Sequence, residues 1–192
     1  MLLWVGLGNP EPGMARQRHN IGFMALDVIA IRHGFGPWRP RFKGLVAEGR
    51  VGSQKILALK PMTYMNASGQ SVQQALSFFK IEPADLTVFH DELDLVPGKL
   101  RTKRGGGAAG HNGLRSIDQL IGTPDYGRVR LGIGHPGHKD RVHGYVLSDF
   151  PAADKSWLIP FLDSVADRAG TLAEGEPEKF MTSVSEDMRK VQ

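Results

Sequence analysis

A three-layer α/β domain, with helices flanking a central mixed, mostly parallel β-sheet, is the fold class this sequence predicts. Three observations carry the prediction. Short apolar runs bounded by turn residues recur along the chain, among them LLWVG, KILALKP, LTVFH and RVRLGIG. Stretches with helical spacing alternate with them, the pattern of a parallel sheet covered on both faces. The 192 residues suit a single domain over 1–192 with a sizeable core.

Leu2 to Gly6 is expected to be a strand buried on both faces. Asn20 to His33 has helical spacing, with Ile21, Met24, Leu26, Val28 and Ile29 on a broad apolar face and Gly34 as the stop. Residues 35–43, with Pro37 and Pro40, are expected to be a connector. LVAEGRVG and KILALKP form two strands that turn near Gly52. A loop from Pro61 to Asn66 leads into a helix over Ser68 to Lys80, with Val72, Leu76 and Phe79 on one side. Leu86 to His90 is a buried strand, and KLRTKR a more polar edge strand. Gly105 to Gly110 is a flexible turn before a short helix, Asn112 to Ile121. A strand from Arg128 to Gly134, a basic loop over 135–150, and helices over about 151–169 and 172–190 complete the chain.

Composition narrows the function. The formal net charge is +4 and the sequence pI about 9.5, a balance that favours a polyanionic partner. Cysteine is absent, which excludes disulfides and thiolate metal sites and fits a reducing cytoplasm. No apolar run is long enough to cross a membrane. The apolar MLLWVGLG start has no basic region before it and no cleavage-type sequence after it, so it is expected to be a buried strand rather than a signal peptide.

In parallel sheets ligands bind beyond the carboxyl ends of the strands. Asn9, the Tyr64–Met65–Asn66 triplet, Asp91 and His135 follow strands, and His111 and Asn112 open a helix after a glycine run. Polar residues from distant parts of the chain are therefore expected to converge on one edge. The first such loop, GLGNPEPGMARQRHN, begins like a dinucleotide-binding turn. That fingerprint needs a third glycine and an immediate helix. Here Glu11 takes the third glycine's place, and Pro10 and Pro12 remove amide donors. The glycines are better read as allowing a tight turn after the strand.

The far end of the loop offers a different chemistry. His19 precedes Asn20, a candidate N-cap, and a helix N-terminus disfavours imidazolium. A neutral imidazole can act as a general base, and a carboxylate on its other nitrogen would stabilise the charge that forms. Asp91 in FHDELD is the best partner; Asp94 is the alternative, and Glu92 points to the other side of its strand. The plainer reading of His19 is a surface or capping residue, and of Asp91 a turn cap. A serine nucleophile lacks a GxSxG setting, and the seven histidines form neither HxH nor HExxH, so no metal site is expected. Asn66 and Asn112 each suit either a helix cap or a substrate-binding amide. Lys99, Arg101, Lys103 and Arg104, with Arg128, Arg130, Lys139 and Arg141, form either a solvated face or contacts to phosphates.

The segments VGLGNP, RHNIGF, KPMTYMNASG, HDELDL, GKLRTKRGGGAAGHNGLRSI and RLGIGHPG, in that order, resemble the bacterial peptidyl-tRNA hydrolase family over about residues 2–190. The resemblance implies a monomeric, cofactor-free cytoplasmic enzyme. It would cleave the ester between a peptide and the terminal ribose of tRNA, recycling tRNA for translation. His19 then matches the base that activates water and Asp91 its carboxylate partner. Asn9 matches a residue orienting substrate and histidine, and Asn66 and Asn112 match amides positioning the peptide end and the water. Tyr64, Met65 and His111 match residues lining the peptide groove. Lys103 and Arg130 match basic residues that meet tRNA phosphates, and neighbouring Arg101 is expected to join them. The family's loop reads NPGxxYxxTRHN; here Glu11 replaces a glycine, Met14 a tyrosine that receives the tRNA 3′ end, and Gln17 a threonine. Met14 keeps apolar bulk without a hydroxyl or a stacking face. Two other functions fit some of these features: a non-catalytic RNA-binding relative of the family, and a hydrolase of other small esters or amides.

Overall fold

The computed structural model describes residues 1–191. One sheet contains β1 (Leu2–Gly6), β2 (Arg39–Arg41), β3 (Gly44–Val51), β4 (Gln54–Pro61), β5 (Leu86–Glu92), β6 (Leu100–Arg104) and β7 (Gly127–Gly132). Their order is β2-β3-β4-β1-β5-β7-β6. The central β4, β1, β5 and β7 are mutually parallel, β3 and β6 add antiparallel on either side, and β2 pairs antiparallel with β3.

Alternation along the strands builds two cores, because successive side chains leave opposite faces of a pleated strand. Trp4, Phe89, Ile56 and Ala58 point to one face, where α1 (Ile21–Arg32), α5 (Lys155–Ala173) and α6 (Pro177–Arg189) cover them. Leu3, Val5, Leu57, Leu59 and Val88 point to the other, under α2 (Ser68–Phe79) and α3 (Asn112–Ile121). Both faces of the central strands are thus dry, which is why LLWVG and LTVFH are continuously apolar. Among the described residues no helix is long and apolar enough to cross a membrane.

Three expectations from sequence need correction. Residues 35–43 are not only a connector: Arg39–Arg41 form β2, with Pro40 opposite Leu45. All three residues are exposed, so no apolar pattern marks the strand, and proline is tolerated because the strand is an edge. The basic stretch 135–150 is not all loop. It contains a 3₁₀ turn, Lys139–Arg141, and the five-residue α4 (Val142–Val146), too short for helical periodicity to show. The helix expected to end near 169 runs on to Ala173, with Pro160 inside it at the sixth position.

Candidate active site

The first loop is shaped by close packing of α1 on β1. A Cβ on Gly6 would overlap the Gly22 carbonyl, and one on Gly8 would lie 2.7 Å from the Phe23 ring. These glycines therefore serve helix–strand contact, not a phosphate. Leu7 N–H donates to Phe89 O at 3.0 Å, and Phe23 N–H to Leu7 O at 3.2 Å. The chain then returns through a 3₁₀ turn, Arg18–Asn20, which delivers His19.

Asn20 does not cap α1 with its side chain. Buried at 1% exposure, it clasps Asn9 instead: Asn9 N–H donates to Asn20 Oδ1 at 2.8 Å, and Asn20 Nδ2 donates to Asn9 O at 3.0 Å. Asn9 Nδ2 donates to Gln17 Oε1 at 3.2 Å. Gln17, one of the positions where the loop departs from the family pattern, thus orients Asn9. Arg18 ties the turn to the segment after α4, with Nη1 donating to Ser148 Oγ at 2.6 Å and its guanidinium 4.1 Å from the Tyr145 ring centre.

β5 runs two residues beyond LTVFH and carries Asp91 as its next-to-last residue. His19 Nδ1 lies 2.8 Å from Asp91 Oδ2. The other oxygen, Oδ1, is 2.8 Å from His111 Nε2. His111, not Asn112, caps α3: its Nδ1 accepts the amides of Gly113 at 3.1 Å and Leu114 at 3.4 Å. This fixes the proton arrangement. With its Nδ1 lone pair occupied, His111 carries its proton on Nε2 and donates to Asp91. The ionised carboxylate, an acceptor only, also accepts a hydrogen bond from His19 Nδ1–H. The Nε2 lone pair of His19 is left for the cleft.

His19, Asp91 and His111 place ligand-type atoms within 4.8 Å of one another, so a divalent cation has to be weighed. A metal would need the lone pair of His111 Nε2, and that nitrogen holds the proton. The donor set therefore fits a hydrogen-bonded relay better than a metal centre.

Electrostatics follow the geometry. Burial opposes charging His19, but the Asp91 carboxylate, by attraction and hydrogen bond, outweighs it and raises the imidazole pKa above 6.5. Burial would push Asp91 up; the two flanking imidazoles hold it far below the usual carboxylate range. His90, fully buried, is pushed down to about 3, first by desolvation and then by His111. It stays neutral, with Nδ1 donating to Asp91 O at 2.8 Å.

These groups open into a cleft of about 1030 Å³. Its walls include Asn9, Met14, Tyr64, Met65, Asn66, Asn112, Lys103 and Arg130 as well as the relay itself. Asn66 is exposed and sits inside a 3₁₀ turn, Met65–Ala67, and does not cap α2; Asn112 is the exposed first residue of α3. Glu92 lines the same cleft but approaches Arg130, at 3.8 Å, and Asp94 takes no part in the relay. Arg101 is not a cleft residue: its Nη1 meets Met181 Sδ on α6 at 3.6 Å.

Sequence reasoning missed one role and misread one residue. His111, expected to line the peptide groove, is on the cleft wall, and it also anchors Asp91. Arg128 was grouped with the charges expected to form a solvated face or to meet phosphates, yet it is 2% exposed and committed to protein. Its Nη1 donates to Gly107 O at 2.7 Å, and Nη2 to Gly106 O at 3.1 Å and Asp118 Oδ1 at 3.4 Å. It therefore pins the glycine-rich turn that leads to His111. Its alternation with Val129 in a strand was the available signal.

A three-layer α/β protein with a histidine–carboxylate relay at the carboxyl edge of its sheet is the class that fold and site define. Comparison with known proteins narrows the class. The family model described as peptidyl-tRNA hydrolase matches residues 3–192. The peptidyl-tRNA hydrolase of Acidiphilium cryptum is 70% identical over 185 residues, 96% of either chain. That of Granulibacter bethesdensis is 68% identical, covering 96% of this chain and 95% of the relative. The crystal structure of peptidyl-tRNA hydrolase from Acinetobacter baumannii superposes with a TM-score of 0.89 at 40% identity, covering 96% of this chain and 94% of that one. The chain belongs to the peptidyl-tRNA hydrolase family.

Proposed function

We propose that this protein hydrolyses the ester between a peptide and the 3′-terminal ribose of tRNA, with His19 as general base. The observation that carries the reading is the 2.8 Å contact between His19 Nδ1 and an Asp91 held on its other oxygen by His111. His19 Nε2 takes a proton from water as the oxygen attacks the ester carbonyl carbon. The imidazolium is stabilised by Asp91, which stays ionised. Collapse of the tetrahedral intermediate breaks the bond to the ribose oxygen, and His19 returns the proton to it.

The remaining cleft residues divide between the two halves of the substrate. Asn66 and Asn112 present amide groups at the cleft, suited to positioning the water and polarising the carbonyl. Asn9, held by Asn20 and Gln17, positions the substrate beside His19. Met65, Tyr64 and Met14 supply apolar contact. Lys103 and Arg130 meet the tRNA phosphates in this reading, which their position on the cleft wall supports, and Arg101, against Met181, does not. The reaction requires no cofactor in this reading, and the protein acts as a cytoplasmic monomer.

The test compares N-acetyl-aminoacyl-tRNA with the same tRNA carrying a free amino acid, using wild type and His19→Ala. Wild type is expected to release the acylated amino acid and spare the free one; His19→Ala is expected to lose most of the rate. Binding of the tRNA without release by wild type would instead identify an RNA-binding relative. Release at full rate by His19→Ala would overturn the base assignment.

A further inference from the structure

The carboxyl edge of the sheet continues past the cleft on the side away from Lys103 and Arg130. The β2–β3 turn lies at this same edge, because Arg41 pairs with Gly44 and Gly44 with Pro61 at the end of β4. Met62 N–H donates to Lys43 O at 3.0 Å, which closes the corner. A second groove of about 530 Å³ occupies it, lined by Pro40, Arg41, Lys43, Leu45, Met62 and Thr63. The next residues in the chain, Tyr64 and Met65, line the catalytic cleft, and Tyr64 is 72% exposed. Consecutive residues of one loop, Met62–Thr63 and Tyr64–Met65, thus line the groove and the cleft in turn.

We infer that this groove receives the upstream residues of the substrate's peptide, in extended form, with a preference for an acidic side chain. The inference rests on the peptidyl-tRNA reading. In sheet order the basic residues of β6 and β7 lie on one side of β1 and β5, and the groove lies on the other. A substrate whose nucleic acid occupies the β7 side and whose ester sits at His19 must lead its peptide toward β4 and β3. From Asp91 on β5 to Gly44 on β3 is three strand spacings, roughly 14 Å at about 4.8 Å each. An extended chain covers that in about four residues. The groove's chemistry is mixed: Pro40, Leu45 and Met62 offer apolar contact, and Arg41 and Lys43 are exposed cations.

The groove is also built to hold its shape. The Arg41 guanidinium lies 4.6, 4.3 and 5.2 Å from the ring centres of Phe42, Phe78 and Phe79, and those rings pack on one another with centres 5.0–5.9 Å apart. Lys43 Nζ donates to Gln70 Oε1 at 3.0 Å on the neighbouring helix.

The experiment uses one tRNA carrying N-acetyl-aminoacyl, or N-acetylated pentapeptides with Asp or with Lys at the residue farthest from the ester. KM is measured for wild type and Lys43→Glu, each value taken relative to the N-acetyl-aminoacyl substrate with the same protein. Wild type is expected to bind the Asp pentapeptide about two- to five-fold more tightly than the Lys one, the size of a solvent-exposed charge contact. Lys43→Glu is expected to abolish or reverse that preference. Equal relative KM for both pentapeptides in wild type, or a preference untouched by Lys43→Glu, overturns the groove assignment while leaving the hydrolase reading intact. No cleavage of any substrate by wild type overturns both.

Discussion

Replacing Asp91 by asparagine removes a charge but almost no volume, and the relay makes its consequence specific. The carboxylate accepts two hydrogen bonds, from His19 Nδ1–H and from His111 Nε2–H. Asparagine offers one accepting oxygen and one NH₂ donor. His111 cannot surrender its Nε2 proton without releasing the amides of Gly113 and Leu114, a lost cap that costs about 0.5–2 kcal/mol. The asparagine oxygen therefore turns to His111 and its NH₂ to His19. His19 Nδ1 must then accept, so its proton moves to Nε2, the atom that should take a proton from water. kcat is expected to fall about 10²–10⁴-fold, or roughly 2.7–5.4 kcal/mol of barrier. Hydrolysis of N-acetyl-aminoacyl-tRNA at saturating substrate measures the rate, and ¹⁵N spectra of the imidazoles report the tautomer. Asp91→Asn protein with kcat within about ten-fold of wild type, or with the proton still on His19 Nδ1, would refute the reasoning.

The same pair sets the pH response. kcat/KM should rise with pH through a pKa above 6.5, because Asp91 raises His19 against the effect of burial, and that inflection should move down in Asp91→Asn. For stability, the raised His19 contributes fully below 6.5 and less as pH rises through its folded value; the depressed Asp91 contributes above 3.8 and less as pH falls through its folded value. Urea unfolding at pH 3, 5.5 and 8 should therefore show the largest gap between wild type and Asp91→Asn at pH 5.5. Arg128→Met should cost about 3 kcal/mol, because Asp118 and the carbonyls of Gly106 and Gly107 lose their buried partner; the Tm should drop by about 6–12 °C, and an unchanged Tm would mean that Arg128 does not hold the turn. Lys103→Ala and Arg130→Ala should each flatten the salt dependence of KM by about one ion, whereas Arg101→Ala, facing Met181, should leave it unaltered. Met14→Tyr, on the cleft wall, should improve tRNA affinity about five-fold or more by adding a stacking face, and an unchanged KM would rule out a terminal-nucleotide contact there.

The parts of the fold legible in sequence are those whose burial is complete. β1 and β5 are apolar on both faces because both faces are covered, and the α3 boundaries follow from the glycine run and Gly122, which takes the left-handed C-cap position. β2 and α4 escaped because three exposed residues and a five-residue helix carry no period. His19 and Asp91 were legible through strand-end logic and motif resemblance together. What the chain could not disclose was the exchange of roles among its polar residues. Asn20 and Asn112 have cap-forming side chains at cap-like positions, yet the cap of α3 is His111 and Asn20 binds a loop eleven residues back. Those choices depend on which backbone amides tertiary packing leaves free.

The polarity of the proposed base is decided at a place that cannot change its tautomer. The amide of Gly113 donates and cannot accept. It fixes His111 with the proton on Nε2; His111 and His19 then occupy different oxygens of Asp91. Since Asp91 is held ionised by both imidazoles, His19 keeps its proton on Nδ1 and its lone pair on Nε2. The N-terminus of α3 thus influences His19 through two intervening side chains, His111 and Asp91. Arg128 extends the dependence outward, because it holds the glycine-rich turn from which His111 emerges. A substitution that shifts that turn should therefore alter the pH profile of a histidine it never touches, whereas loss of a proposed phosphate contact such as Lys103 should change KM and leave the profile alone.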